Sequence, residues 1–214
     1  EQEIINCGEG LSVTVDPLDG SSNIPTNNSV GTIVGIYNEK LPCKGENLVS
    51  AFYILYGPLT TVIHADQKQV NEYIIEQKQG DKIELKATSE NIKLPSSHVY
   101  GFGGNQKWTK EFREFENRIS QDLKLRYGGA LVGDINQTLH HGGIFAYPSR
   151  TDASEGKLRL LFEANPIAHI MKTAGGASTD IEQPILQKTP EKLHQKTPFY
   201  TGNKKPVKKA ENTL

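Results

Sequence analysis

A short acidic turn that follows a strand-like segment is the feature that most restricts what this chain can form. Residues 11–16 alternate apolar and polar side chains and include β-branched residues, which predicts a strand ending at Asp16. A turn is predicted shortly afterwards, at Asp19, Gly20, Ser21 and Ser22. Paired carboxylates suit hard cations such as Mg²⁺, and the amides of such a turn can bind an anion. In isolation the stretch could also be an ordinary loop, because Pro, Asp and Gly are turn formers.

Charge and composition exclude several classes of partner. The chain has 214 residues, with 24 Lys plus Arg against 25 Asp plus Glu. This balance provides no basic field, so neither a nucleic acid nor a membrane is expected as a partner. No apolar run approaches the ~20 residues that span a bilayer, and the sequence shows no secretory pattern, so the expected compartment is the cytoplasm.

The remaining chain reads as a mixture of strands and helices. Residues 30–37 are predicted as a strand, and three runs predict an antiparallel meander at residues 60–65, 70–76 and 82–86. Residues 47–56 are predicted as a buried helix, with a strand as the alternative because of their β-branched and aromatic content. Further helices are predicted at residues 111–119, 131–140 and 166–174, and a strand at residues 142–148. The lysine-rich end after residue 203 is expected to be a mobile tail.

Several separated segments resemble class I fructose-1,6-bisphosphatases of prokaryotic or archaeal type, in the same order. They are DPLDGSSNI at 16–24, SVGTI at 29–33, RY at 126–127, GGIFAYP at 142–148, GKLRLLFE at 156–163 and AGG at 174–176. The resemblance implies an α/β (α+β) class, a layered sugar-phosphatase fold of the fructose-1,6-bisphosphatase type with its N-terminal part missing. It implies three regions: an incomplete first α/β subdomain with the metal and phosphate groups (1–95), a second α/β subdomain with sugar-phosphate contacts (96–203) and the basic tail (204–214).

The same resemblance implies a metal centre. Asp16, Asp19 and Glu163 would be catalytic residues and metal ligands through their carboxylates, and Leu18 would be a ligand through its backbone carbonyl. The family also carries an acidic pair before the first strand; Glu1 is either the remnant of that pair or one place off. Two or three Mg²⁺ ions per site are implied, with Mn²⁺ or Zn²⁺ as alternatives. Glu163 could instead cap the following helix, but a carboxylate in an apolar run is costly unless it is paired or metal-bound.

Residues that match the family's substrate contacts form two groups. The group around the 1-phosphate consists of Asp19, Gly20, Ser21 and Ser22. The group around the sugar and the 6-phosphate consists of Tyr127, Tyr147 and Lys157, together with Arg126, which matches an arginine that reaches a neighbouring subunit's 6-phosphate. Gly103 stands where the family has an asparagine for the 6-phosphate, so Asn105 or the amides of this loop are expected to take that role.

The implied activity is Mg²⁺-dependent hydrolysis of the 1-phosphate of fructose 1,6-bisphosphate, a gluconeogenic step that yields fructose 6-phosphate and phosphate with a metal-bound water as nucleophile. The implied partners are this sugar bisphosphate and further copies of the chain, as a dimer or tetramer, if Arg126 acts across an interface. Two alternatives stay open: a sedoheptulose-1,7-bisphosphatase, and a non-catalytic remnant that binds a sugar phosphate. The second alternative is kept because the family's remaining acidic groups precede residue 1.

Overall fold

Two β-sheets, with helices between them and on one outer side, make up the fold. The computed structural model describes residues 10–78, 82–104 and 107–214. The first sheet is an antiparallel meander of six strands in chain order. These strands are β1 (Ser12–Asp19), β2 (Val30–Tyr37), β3 (Leu48–Tyr56), β4 (Thr60–Ala65), β5 (Val70–Gln77) and β6 (Ile83–Ser89). The predicted strand at 30–37 and the predicted meander are therefore confirmed.

The predicted helix over residues 47–56 is wrong, and the strand alternative is right. As β3, this segment pairs with β2 on one side and β4 on the other, so its backbone groups are satisfied by both neighbours. Its side chains alternate: Ala51 and Tyr53 are buried in the main core, whereas Phe52 and Ile54 lie on the opposite face and are partly exposed. A strand with apolar side chains on both faces shows no alternation in its sequence, which is why the pattern resembled a buried helix.

The second sheet is mixed and is built from the second half of the chain. The strands that follow β6 are β7 (Val99–Phe102), β8 (Lys124–Leu125), β9 (Gly143–Tyr147), β10 (Leu158–Arg159), β11 (Ala177–Thr179), β12 (Lys196–Thr197) and β13 (Phe199–Gly202). The sheet order is β11-β13-β9-β7-β8, with β7 parallel to β8 and β9, and β10 and β12 form a separate ribbon.

Four α-helices pack in two layers around the second sheet in the part of the chain that the structure describes. They are α1 (Lys110–Ile119), α2 (Leu131–His141), α3 (Asn165–Thr173) and α4 (Lys204–Glu211). The main core joins Tyr53 of the first sheet, Ile135 of α2, Ile167 of α3 and Phe145 of β9, so α2 and α3 lie between the sheets. A second core joins the other face of the second sheet to α1 and α4. This sheet-helix-sheet-helix layering confirms the α/β class.

The expected mobile tail after residue 203 needs correction. Residues Lys204–Glu211 form α4, and Pro206, Val207 and Ala210 are buried against the second sheet. The lysines lie on the outer side, where Lys208 Nζ pairs with Glu211 Oε2 at 3.1 Å. The prediction weighed the charge of this segment and missed that its three apolar residues share one face of a helix.

Candidate active site

Three carboxylates converge beside the start of α2. Asp16 and Asp19 lie on β1, Glu163 lies on the turn Leu160–Ala164 before α3, and one oxygen of each lies within 4.8 Å of the others. Residues three apart in a regular strand point to opposite faces. Here the pairing of β1 with β2 shifts register between Asp16 and Asp19, and this bulge turns both side chains inward, where they are 4% and 8% exposed. We call these three residues the acidic trio.

The bulge also places Leu18 between the two aspartates. Its side chain is 41% exposed, and its backbone N–H donates to Asp16 Oδ1 at 3.4 Å. The backbone at Leu18 therefore runs beside the acidic trio, and the ligand role of its carbonyl remains a prediction.

Arg159 lies against two members of the acidic trio. Its Nη2 is 3.0 Å from Asp16 Oδ2, and its Nε is 3.0 Å from Glu163 Oε2. The backbone N–H of Arg159 donates to the same Glu163 oxygen at 2.7 Å. The single positive charge of Arg159 is smaller than the summed charge of the three carboxylates. The cluster therefore keeps an excess of negative charge when all three are ionised.

Two members of the acidic trio, Asp19 and Glu163, have raised pKa values. The pKa of Asp19 is raised to about 7: burial is the main cause, a hydrogen bond from the Val132 N–H opposes the shift, and the charges of Glu163 and Asp16 add to it. That hydrogen bond, 2.8 Å from Val132 N to Asp19 Oδ2, comes from the first turn of α2. Burial also raises the pKa of Glu163. Buried carboxylates that repel one another, all with oxygen donors, fit a hard divalent cation well.

The turn after Asp19 lies at the mouth of this cluster. Gly20 has φ of 78°, and a Cβ there would lie 2.4 Å from the Ala130 Cβ, so the turn packs tightly on the start of α2. Ser21 and Ser22 are exposed. Asn23 is buried and donates from Nδ2 to the Ser29 and Gly128 carbonyls at 3.0 and 2.9 Å. The serines are thus held in an open position beside Asp19.

Three residues predicted for the distal phosphate also come together. Tyr127 Oη lies 3.2 Å from Tyr147 Oη, and Lys157 Nζ lies 3.5 Å from Tyr147 Oη and 4.5 Å from the centre of its ring. The Lys157 charge opposes the rise in the pKa of Asp19, and the Asp19 charge contributes to the raised pKa of Tyr127, after burial as the main cause. We call Tyr127, Tyr147 and Lys157 the distal cluster, and its groups lie close enough to Asp19 to interact with it electrostatically.

The other predicted residues are placed differently. Arg126 is exposed beyond β8, with Nη1 donating to the Leu125 carbonyl at 3.3 Å, and it does not join the distal cluster. Glu1 and Asn105 lie outside the described residues. A Cβ on Gly103 would lie 1.9 Å from Tyr147 Cε1, so the Tyr147 ring occupies the space where an asparagine side chain would begin.

Sequence reasoning missed Arg159 as a partner of the acidic trio: its position four residues before Glu163 was a signal for that one contact, but nothing in the sequence indicates its contact with Asp16. The carboxylate of Asp134 accepts hydrogen bonds from the Gly128 and Gly129 N–H groups at 2.5 and 3.1 Å. It thereby orders the loop that follows Tyr127.

In the part of the chain that the structure describes, no other group of His, Cys, Asp and Glu has the spacing of a metal site, and no helix is long and apolar enough to cross a membrane.

Comparison with known proteins agrees with this architecture. The family model described as the fructose-1,6-bisphosphatase N-terminal domain matches residues 3–87, and the C-terminal domain model matches residues 94–214. The solved fructose-1,6-bisphosphatase of Leishmania major in its T-state superposes with a TM-score of 0.90 at 33% identity, over 99% of this chain and 74% of that chain.

Curated relatives are similar along most of the chain. The class 1 fructose-1,6-bisphosphatase of Natronomonas pharaonis is 46% identical over 217 residues, covering 100% of this chain and 75% of the relative. The class 1 enzymes of Haloarcula marismortui and Halobacterium salinarum are 47% identical, over 90% of this chain and 65% or 66% of theirs. The chain thus spans about two thirds to three quarters of the length of these relatives.

Fold and similarity together define the class of protein, a phosphatase of the layered α/β type. Within that class the chain belongs to the class 1 fructose-1,6-bisphosphatase family.

Proposed function

We propose that this protein hydrolyses the 1-phosphate of fructose 1,6-bisphosphate in a Mg²⁺-dependent reaction, a gluconeogenic step, yielding fructose 6-phosphate and phosphate. The observation that carries the proposal is the distal cluster, in which two tyrosine hydroxyls and an ammonium group come together near Asp19 of the acidic trio. A substrate with two phosphates needs two anchors, and Lys157 supplies a positive charge at the second one.

At the reacting end, Asp16, Asp19 and Glu163 would hold the cations, and the exposed Ser21 and Ser22 would bind the 1-phosphate oxygens. Bound divalent cations polarise a phosphoryl group and lower the pKa of water, which is the chemistry that hydrolysis of a phosphate ester requires. The protein's own part is alignment: the Val132 N–H and Arg159 orient the carboxylates, and the tight turn at Gly20 keeps the serines beside Asp19.

At the other end, Tyr127, Tyr147 and Lys157 would bind the sugar and the 6-phosphate. Arg126 is exposed and its side chain donates a hydrogen bond to the Leu125 carbonyl, which leaves it accessible for a role toward another subunit. We therefore expect a homo-oligomer in which Arg126 completes the neighbouring distal cluster. A cytoplasmic location remains a prediction.

The decisive experiment measures phosphate release from fructose 1,6-bisphosphate by the purified protein with Mg²⁺. Wild-type protein should release phosphate, Asp19→Ala should not, and the matched control Asp122→Ala, which changes an exposed aspartate in the turn between α1 and β8, should behave as wild type. Equal rates for wild type and Asp19→Ala would refute the proposal. A higher kcat/KM on sedoheptulose 1,7-bisphosphate would reassign the substrate. Binding of fructose 6-phosphate without any turnover would identify a non-catalytic module.

A further inference from the structure

The turn that carries Glu163 is a π-type turn, and its hydrogen bonding is incomplete. In Leu160–Ala164 the Leu160 carbonyl accepts from the Asn165 N–H, five residues on. The equivalent partner of the Leu161 carbonyl would be residue 166, which is proline and has no N–H. Leu161 is fully buried, so its carbonyl oxygen needs another donor. Single π turns are rare and persist where other contacts support them.

Two side-chain hydroxyls from the first sheet supply that donor. Tyr37 Oη donates to the Leu161 carbonyl at 2.8 Å, and Thr14 Oγ1 donates to the same oxygen at 3.1 Å. Both residues are buried, at 0% and 1% exposure. A Cβ on Gly35 would lie 2.9 Å from both Thr14 Oγ1 and Pro166 Cγ. The absence of a side chain at Gly35 therefore allows β1 and the Glu163 turn to pack closely at this point.

This contact connects the two elements that form the acidic trio. Thr14 lies on β1, two residues before Asp16 and on the same inner face, and Tyr37 lies on the adjacent β2. The Leu161 carbonyl belongs to the same turn as Glu163. The only other polar connection between Glu163 and β1 among the described contacts of this turn runs through the Arg159 guanidinium, which a cation would compete with.

We propose that Thr14 and Tyr37 are positioning residues that fix the Glu163 turn relative to Asp16 and Asp19, and thereby set the metal affinity of the acidic trio. This inference rests on the proposed function in one respect, that the acidic trio holds divalent cations. Both hydroxyls donate hydrogen bonds to backbone carbonyls and not to the carboxylates of the acidic trio. They act through the Leu161 carbonyl, and their effect is on the geometry of the ligands.

The test measures Mn²⁺ binding to the full chain without substrate, by the loss of the free-ion EPR signal. Thr14→Val keeps the shape of the side chain but removes its hydroxyl, and Tyr37→Phe removes the other one. Each should weaken Mn²⁺ binding by about tenfold or more, the usual effect of losing a group that orients a metal ligand. Thr14→Ser keeps a hydroxyl at this position, and its Mn²⁺ affinity should be within about twofold of that of wild type.

Thr201→Val is the matched control. The Thr201 hydroxyl is also fully buried and donates to a backbone carbonyl, that of Ala177 at 3.1 Å, but it lies in the second sheet. It should reduce thermal stability and leave Mn²⁺ binding unchanged. If Thr14→Val and Tyr37→Phe lose stability but bind Mn²⁺ as wild type does, the positioning role is refuted and the proposed function stands. If wild-type protein binds no Mn²⁺, both proposals are refuted.

Discussion

Arg159 Nη2 lies 3.0 Å from Asp16 Oδ2, which joins two residues that are distant in the sequence. The same guanidinium contacts Glu163 at 3.0 Å, so Arg159 acts as an internal counter-ion of the acidic trio. A bound cation would compensate the same charges. Arg159 and a bound cation are therefore both expected to reduce the electrostatic repulsion among the three carboxylates.

The first prediction concerns Arg159→Met, which keeps an apolar stem and removes the charge. Removing one partner of a buried pair typically costs about 3–5 kcal/mol because the remaining charge is uncompensated. We expect the variant to be less stable than wild type in EDTA and to gain more thermal stability than wild type on addition of Mg²⁺. Thermal unfolding with and without Mg²⁺ measures both effects.

Arg150→Met is the control for this experiment. Arg150 pairs with Asp152 at 2.8 Å on the surface, where ion pairs contribute about 0–1 kcal/mol. It should change neither the stability in EDTA nor the response to Mg²⁺. The same Mg²⁺ response in Arg159→Met and wild type would contradict the counter-ion role.

Local sequence patterns were sufficient to predict the carboxylates of the candidate site. The acidic turn and the family segments predicted which carboxylates meet, because Asp16 and Asp19 belong to a short motif and Glu163 is an acid in an apolar run. The role of Arg159 was not predictable in the same way. It depends on a register shift in β1 and on a π turn, and neither has a signal in single residues.

Regions where burial decides the structure were predicted less well. Strand β3 resembled a helix because it is apolar on both faces, and only its pairing with β2 and β4 determines the outcome. The sequence of helix α4 resembled a tail because lysines outnumber its three apolar residues. These apolar residues become buried only by packing against the second sheet. In both cases the deciding contacts are made with residues distant in the chain.

The second prediction concerns Gly103→Asn, which introduces the asparagine that the family resemblance implies at this position. A Cβ at this position would lie 1.9 Å from Tyr147 Cε1 and 2.3 Å from Cδ1, so the ring must move. Tyr147 is buried and contacts both Tyr127 and Lys157. We expect KM for fructose 1,6-bisphosphate to rise by about tenfold, since a hydrogen bond to a charged group contributes about 1.5–3 kcal/mol.

Steady-state kinetics measure this change, and kcat should change less than KM because the acidic trio is untouched. Gly57→Ala is the matched control, because a Cβ there has only ordinary contacts at 3.7 Å or more. An unchanged KM in Gly103→Asn would show that the Tyr147 ring does not need its observed position.

The third prediction concerns Asn23→Ala. The Asn23 amide joins the serine turn to the loop after Tyr127 by donating to the Ser29 and Gly128 carbonyls. Its loss should lower the free energy of unfolding by about 1–3 kcal/mol, the cost of leaving a buried polar group without its partner. Urea denaturation measures the change.

Asn28→Ala provides the comparison. The Asn28 amide is exposed and bonds only a nearby hydroxyl, that of Thr26 at 3.2 Å, so its loss should change stability by less than about 0.5 kcal/mol. Equal effects of the two substitutions would contradict the view that Asn23 holds the loops together.

The fourth prediction is a pH dependence of stability that arises from His169 on α3. Burial lowers the pKa of His169 below its usual value of 6.5, and the charges of Lys172 and His64 add to this, while Asp66 opposes it. The ring nitrogen Nε2 lies 3.0 Å from the Asp66 carbonyl. The unfolded chain therefore binds a proton at a higher pH than the folded protein does.

Below a pH of about 6.5 the unfolded state protonates this imidazole and the folded state does not, so the contribution of His169 to the free energy of unfolding falls as the pH falls. His169→Gln removes this titration and keeps an amide that can donate to the Asp66 carbonyl. The stability of His169→Gln relative to wild type should therefore rise as the pH falls from about 7 to 5.5. Urea denaturation at several pH values measures the two slopes, with His141→Gln, at an exposed position on α2, as the control. Parallel slopes for wild type and His169→Gln would show that the buried imidazole does not limit stability in acid.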